Sequence, residues 1–326
     1  MTLWCNVFVK GINMAKFLYL QDFHISGKNF AHYIGDYFSD CLEMLEEIIQ
    51  LGHEHKVDMI LDGGDLFHVH SPSYRVLDEV ADRVERAEIS FNCLFGNHAE
   101  RYHSIEHSQH TGLAHLFKRS KYFGYVDWID DHKEEMRAEG YEFKFVEYHH
   151  NVEENILKDG IMFEESDAWK IAIVHAFICS KKFPYATHAV AKDIKTNADV
   201  VLVAHYHAEW EEQVGSTLFK DIGCLGRRSI TERDITPKVL LIDTDKREIT
   251  EIPLKSAKEA EEIFDLTKIE EIKKSDADID RFIQSLESTE FQGMDLKSTI
   301  QNIAKGNNFT KEPVDLLVKK IGEYNG

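Results

Sequence analysis

Between residues 16 and 95, three short runs of branched and aromatic residues, KFLYL, VDMIL and ISFNCLF, are separated by two stretches with helical periodicity. In CLEMLEEIIQLG, Leu42, Leu45, Ile48 and Ile49 share one helical face, and in YRVLDEVADRVERAE the same holds for Val76, Leu77, Val80 and Val84. Two further apolar runs, KIAIV and DVVLVA, read as buried strands. Alternation of this kind predicts an α/β sandwich. Later runs, EFKFVEY, TLFKDIG, KVLLID and REITEIPL, have turns but few helices between them, which predicts a second, more antiparallel sheet packed on the first. From about Ser256 the chain becomes charged and helical, with one stripe of Ile279, Phe282, Ile283 and Leu286 and another of Val314, Leu317, Val318 and Ile321. The expected organisation is an N-terminal arm or over-extended start at 1–13, before Met14, a main domain at 14–254 and a small helical module at 255–326.

A chain of 326 residues, 43% of them hydrophobic, can bury one large core and carry a small extra module. It has no run of eighteen or more apolar residues, so no membrane-spanning helix is expected, and its opening lacks the pattern of an export signal. Five cysteines without a C-x-x-C pair argue against a zinc ribbon or a disulfide framework and fit free thiols in a reducing cytoplasm. The formal net charge of -20 repels phosphate at long range, so any nucleic-acid partner needs a local attraction.

The residues just beyond each strand-like run are the informative ones. KFLYL leads to Asp22 and His24, VDMIL to Asp62, Gly63, Gly64 and Asp65, and ISFNCLF to Gly96, Asn97 and His98. KIAIV runs into His175, and DVVLVA into His205, Tyr206 and His207. In open α/β sheets the carboxyl ends of strands gather along one edge, where ligand sites form. Carboxylates, an amide oxygen and imidazoles without a thiolate suit Mn²⁺, Fe or Zn²⁺. If the segments are extended, Asp22-x-His24 and His205-x-His207 each turn both side chains to one side.

In this order the residues resemble the calcineurin-like metallophosphoesterases, whose motifs are D-x-H, G-D, G-N-H, a lone H and H-x-H. The resemblance covers roughly residues 15 to 250 and implies a four-layer αββα sandwich holding two divalent metal ions. It implies that Asp22, His24, Asp65 and His207 hold one ion while Asp65, Asn97, His175 and His205 hold the other, Asp65 bridging. Two ions about 3.5 to 4 Å apart can share a hydroxide that attacks phosphorus in line. The resemblance gives His98 the role of stabilising charge on phosphorus and protonating the leaving oxygen. One departure stands out: the acidic residue that usually comes after G-N-H is replaced by Ala99, with Glu100 one position later.

Within that superfamily the fold does not choose the substrate. The stretch DGGDLFHVHSPS, Asp62 to Ser73, resembles the G-D-L-F-H-x-x-x-P-S signature of SbcD-type DNA repair exonucleases, including versions encoded by bacteriophages. That likeness implies DNA as substrate, Mn²⁺ as the ion, an SbcC-like coiled-coil ATPase as partner, and His68 beside His98 on the substrate side. A second copy of the chain is a further partner this reading allows. The helical stripes after residue 275 read either as a capping or partner-docking surface or as packing on the core. Lys181, Lys182, Arg227 and Arg228 come after strand ends, where they can meet a phosphate backbone or stand as ordinary solvated pairs. His70 reads as a solvated loop residue, and RYHSIEHSQH, Arg101 to His110, as a rim loop or helix without ligands. Two other readings stand beside the nuclease: a phosphodiesterase or phosphomonoesterase acting on small nucleotides or phosphoproteins, and a decayed site kept for binding.

Overall fold

The computed structural model describes residues 15–99, 110–125, 135–138, 140–183 and 188–268. The chain divides into two units, 1–264 and 265–326, and both large sheets lie in the first. The N-terminal arm, Glu100, the segment 101–109 and the two apolar stripes after residue 275 lie outside the described residues.

The chain opens with β1 (Lys16–Leu20), α1 (Tyr37–His55), β2 (Met59–Asp62), α2 (Tyr74–Ala87) and β3 (Ser90–Cys93). It continues with α3 (Gly112–Arg119), β4 (Phe123–Tyr125), β5 (Glu135–Ala138), β6 (Tyr141–Val146), α4 (Val152–Asp159) and β7 (Trp169–His175). The short strands β8 (Ile178–Cys179) and β9 (Ala189–Val190) pair with each other, and β10 (Val200–Ala204), β11 (Glu209–Val214) and β12 (Thr217–Ile222) come next. Last come β13 (Lys238–Asp243), β14 (Glu248–Pro253) and the single turn α5 (Ala260–Ile263).

Two six-stranded sheets result. The first runs β14-β13-β1-β2-β3-β4 and the second β11-β12-β10-β7-β6-β5. In the first, β1 to β4 are parallel and β13 joins the free edge of β1 antiparallel. The second sheet is parallel at its centre, across β6, β7, β10 and β12, and antiparallel only where β5 and β11 close its edges. The expectation of a second, more antiparallel sheet is thereby corrected, since each sheet has two antiparallel and three parallel neighbour pairs. KVLLID and REITEIPL, two of the runs behind it, belong to the first sheet, while the parallel runs KIAIV and DVVLVA form the centre of the second.

Phe17, Tyr19, Met59 and Leu61 of the first sheet pack against Phe143, Phe145, Ile171, Ile173 and Leu202 of the second. Alternate residues of the same strands, Leu18, Leu20 and Ile60, are equally buried on the other face. Burial on both faces is why these strands are apolar throughout rather than alternating. Helix α1 starts where Asp36 accepts hydrogen bonds from the amides of Phe38 and Ser39, and it buries Cys41, Met44, Leu45, Ile48 and Ile49. Helix α2 is capped by Ser73 and buries Val76, Leu77, Val80 and Val84. On the outer face of the second sheet, Val152 and Ile156 of α4 pack on Ala172, Val174, Val201 and Val203. Helix, sheet, sheet, helix is the four-layer αββα sandwich.

Residues 255–264, which the sequence groups with the C-terminal module, are tied to α1 and to the loop that precedes it. The Glu47 carboxylate accepts the amides of Lys255 and Ser256 at 2.9 and 2.7 Å, Lys258 pairs with Asp40, and the Ile34 amide donates to the Ile263 carbonyl at 2.8 Å. Cys41, Cys93, Cys179 and Cys224 are buried free thiols. No helix among the described residues is long and apolar enough to cross a membrane.

Candidate metal centre

The loops after β1 and β2 run side by side, joined by backbone hydrogen bonds from Asp22 to Gly64 at 3.1 Å and from His24 to Asp65 at 2.8 Å. These bonds put Asp22, His24 and Asp65 together. Two more loops, those after β10 and β3, are stitched to them through carboxylates. The His205 amide donates to Asp22 Oδ2 at 2.9 Å, and the His98 amide donates to Asp65 Oδ1 at 2.9 Å. In both acids one oxygen is thus held by another loop. The other, Asp22 Oδ1 or Asp65 Oδ2, is buried without a hydrogen-bond partner.

All seven side chains expected as ligands converge around those two oxygens. Nε2 of His24 and Nε2 of His207 stand 3.9 and 3.6 Å from Asp22 Oδ1, and 2.9 Å from each other. On the other side, Nε2 of His175 lies 3.5 Å from Asp65 Oδ2, and Asn97 Oδ1 lies 3.3 Å from His175 Nε2 and 2.9 Å from His205 Nδ1. Asp65 Oδ2 is also 3.9 Å from His24 Nε2, so it faces both groups. Atoms sharing one ion with bonds of about 2.1 Å stand roughly 3.0 to 3.4 Å apart, close to this spacing. Orphaned carboxylate oxygens in 0%- and 1%-exposed acids, ringed by imidazole nitrogens, fit a pair of divalent cations.

The backbone that delivers them differs from the extended geometry expected of D-x-H and H-x-H. Asp22, His24, Asp65, His205 and His207 all have positive φ, between 48° and 100°, so each pair converges through left-handed turns beyond its strand end. They are five of the nine non-glycine residues with positive φ among those described. Two glycines make room. A Cβ on Gly96 would overlap the Asp65 carboxylate, and one on Gly64, φ 113°, would meet the His175 ring.

Outer contacts fix the imidazoles. His175 Nδ1 donates to the Gly63 carbonyl at 2.9 Å, and His207 Nδ1 to Glu232 Oε1 at 2.9 Å, which turns both Nε2 atoms inward. Burial works to raise the Asp22 and Asp65 carboxyls, but His207 beside the first and His175 beside the second outweigh it and hold both below the usual range. Burial pushes His24 down, helped by Arg228 and His207.

His98 and His68 lie next to this group, both partly exposed, with ring centroids 4.8 Å apart and His98 4.7 Å from His24. His98 Nδ1 donates to the backbone carbonyl of His68 at 2.5 Å. A peptide oxygen therefore holds this ring, in a chain where Ala99 takes the place of an acidic neighbour. His68 Nδ1 accepts from Arg228 Nη1 at 3.0 Å; burial first, then Arg228 and His98, bring its imidazole down to about 4.

Arg228 is thus drawn into the centre, between His68 and His207, 3.1 Å from His207 Nδ1. Arg227 is not available to a phosphate backbone as expected: it is buried, with its guanidinium donating to the carbonyls of Arg233 and Lys258. Lys181 and Lys182 are exposed, and His70 joins no ligand cluster among the described residues. Glu232 and the anchoring role of Arg228 are not among the expectations the strand-end motifs raise. Their signal is the S-I-T-E capping box, in which Ser229 and Glu232 close a 3-10 turn at Ile230–Glu232. Glu232 accepts the Arg228 and Ser229 amides through Oε2 while Oε1 serves His207.

Two carboxylate-bridged clusters of oxygen and imidazole donors at the strand ends of an αββα sandwich define a two-metal hydrolase site. The model of the calcineurin-like phosphoesterase family matches residues 16–209, and the chain belongs to that family. It is a metal-dependent phosphoesterase. Over 86 residues it is 37% identical to the double-strand break repair protein mre-11 of Caenorhabditis elegans, a match spanning 26% of this chain and 11% of that protein. Among solved structures it is similar to an archaeal phosphodiesterase, with TM-score 0.40, 17% identity and coverage of 73% of this chain and 99% of the other. A phosphoesterase of E. coli, Yfce, gives TM-score 0.36, 13% identity, and 73% and 98% coverage.

Proposed function

We propose that this phosphoesterase is a Mn²⁺-dependent nuclease of the SbcD kind, hydrolysing phosphodiester bonds of DNA in repair or recombination in the cytoplasm, with a coiled-coil ATPase as partner. The supporting observation is the imidazole pair His68 and His98, contributed by the G-D-L-F-H and G-N-H stretches, packed 4.8 Å apart against the metal-ligand candidate His24. The similarity of one segment to a protein named for double-strand break repair supports the same reading.

Two divalent ions supply Lewis acidity and an activated water when bound. The protein's own groups divide the remaining work. Asp65 faces both ion positions, while Asp22, His24 and His207 define one and Asn97, His175 and His205 the other. His98, with Nδ1 committed to a carbonyl, presents Nε2 as the proton donor to the leaving oxygen. His68 stays neutral near pH 7 because burial, then Arg228 at its Nδ1, disfavour its charged form, so it serves as a hydrogen-bond donor through Nε2 rather than as the acid. The carbonyl that orients His98 supports an active centre over a decayed one.

The net charge of -20 favours the alternative of a small-substrate phosphodiesterase or phosphomonoesterase. One assay separates them: purified protein with Mn²⁺ against single-stranded and linear duplex DNA, bis-p-nitrophenyl phosphate, p-nitrophenyl phosphate and a cyclic nucleotide. DNA hydrolysis supports the nuclease. Turnover of small substrates alone rules it out.

A further inference from the structure

Many large aromatic side chains of this unit are fully buried, among them Phe17, Phe23, Phe91, Phe143, Phe145 and Phe219, each under 2% exposed. Phe177, Phe183 and Tyr206 are different. Each is partly exposed, and they gather on one another beside the metal centre. Phe177 and Tyr206 stack with centroids 4.9 Å apart and planes 26° from parallel, and Phe183 lies 5.5 Å from Tyr206 and 6.1 Å from Phe177. Two of the three are tied to ligands through the chain. Phe177 is two residues beyond His175, and Tyr206 sits between His205 and His207. The Phe177 ring is 6.1 Å from that of His205. Two exposed cations, Lys181 and Lys182, immediately precede Phe183.

A contiguous cluster of partly exposed aromatic rings at the border of a polar site marks a place where a ligand can gain by covering it. A flat heteroaromatic ring covers it well, because every nucleobase offers a π-face and stacking tolerates any sequence. A base paired and stacked within a duplex cannot reach such a surface without leaving the helix.

We infer that Phe177, Phe183 and Tyr206 form a stacking platform for an unpaired nucleobase adjoining the phosphodiester held at the metal centre, with Lys181 and Lys182 meeting the neighbouring phosphates. The inference rests on the nuclease reading and narrows it to single-stranded or frayed nucleic-acid ends. Sugar phosphates and phosphoserine peptides lack the ring this surface takes.

The test uses the full chain with Mn²⁺ and two single-stranded oligonucleotides of equal length, one with all its bases and one abasic around the cleaved bond, with bis-p-nitrophenyl phosphate alongside. The platform gives the base-bearing strand an advantage in kcat/KM of roughly 5- to 100-fold, the worth of one base–aromatic stack. Phe183→Ala narrows the ratio by lowering the base-bearing rate more than the abasic rate, and Phe183→Trp restores it. Equal rates on the two strands with the wild-type protein, or equal losses in Phe183→Ala, overturn the platform while leaving the phosphodiesterase standing. Hydrolysis of neither strand nor bis-p-nitrophenyl phosphate overturns the underlying reading as well.

Discussion

Glu232 Oε1 lies 2.9 Å from Nδ1 of His207, so a carboxylate outside the ligand group decides which nitrogen of that imidazole faces Asp22. The other Glu232 oxygen accepts the amides of Arg228 and Ser229 at 2.6 and 2.9 Å. An amide cannot accept on both sides. Glu232→Gln is therefore expected to lower Mn²⁺ affinity at one position about 10- to 100-fold, the usual cost of losing such an outer partner. Isothermal titration resolves this; unchanged affinity at both positions contradicts it.

Asp65→Ala removes a side chain that faces both groups of donors. Both ions should be lost on desalting, and turnover with them, whereas Asp22→Ala should weaken one position more than the other. Metal content by plasma spectrometry checks it, and two ions retained in Asp65→Ala would count against the bridging role.

His98→Asn should keep the metal content and cut turnover by roughly 10²- to 10⁴-fold, the scale of general acid help. His68→Asn should lower the rate without moving the pH profile near neutrality, because this imidazole titrates at about 4. A shift of the neutral limb in His68→Asn would transfer the acid role to it.

Ion loading should release protons. Burial opposes charge on His175 and His207, but Asp65 lifts the first to about 9 and Asp22 lifts the second to about 10, so both hold a proton at pH 7 before metal binds. Ligation needs them neutral, so loading at pH 7 should expel roughly two protons and affinity should fall as pH falls. Calorimetry in buffers of different ionisation enthalpy counts them; no buffer dependence would refute this.

Gly96→Ala places a methyl group against the Asp65 carboxylate and the His175 ring. Overpacking of this kind costs about 1 to 3 kcal/mol. A lowered thermal midpoint together with reduced ion content is expected, and normal loading would show that the bridge can move aside.

The ligands were legible because each apolar run stops at a polar residue, and burial on both faces makes those runs unmistakable. Their convergence was foreseen for an incorrect reason. Aspartate and histidine carry no glycine-like signal of left-handed backbone, so D-x-H and H-x-H read as extended segments, although Asp22 has φ 48° and His207 φ 66°. The allocation of strands to sheets was hidden as well, since KVLLID can pair equally with either sheet until β1 offers its free edge. Strand β11, EWEEQV, carries too much charge to register as apolar, and its place comes only from its antiparallel pairing with β12. Glu232 escaped notice because its motif announces a helix start and says nothing of the imidazole it also serves.

Holding Asp22, His24, Asp65, His205 and His207 in left-handed turns costs on the order of 1 kcal/mol at each position, which glycine would largely relieve. Selection of variants for heat resistance alone should therefore drift toward glycine at these five places. The toughest descendants of this chain would be the inert ones.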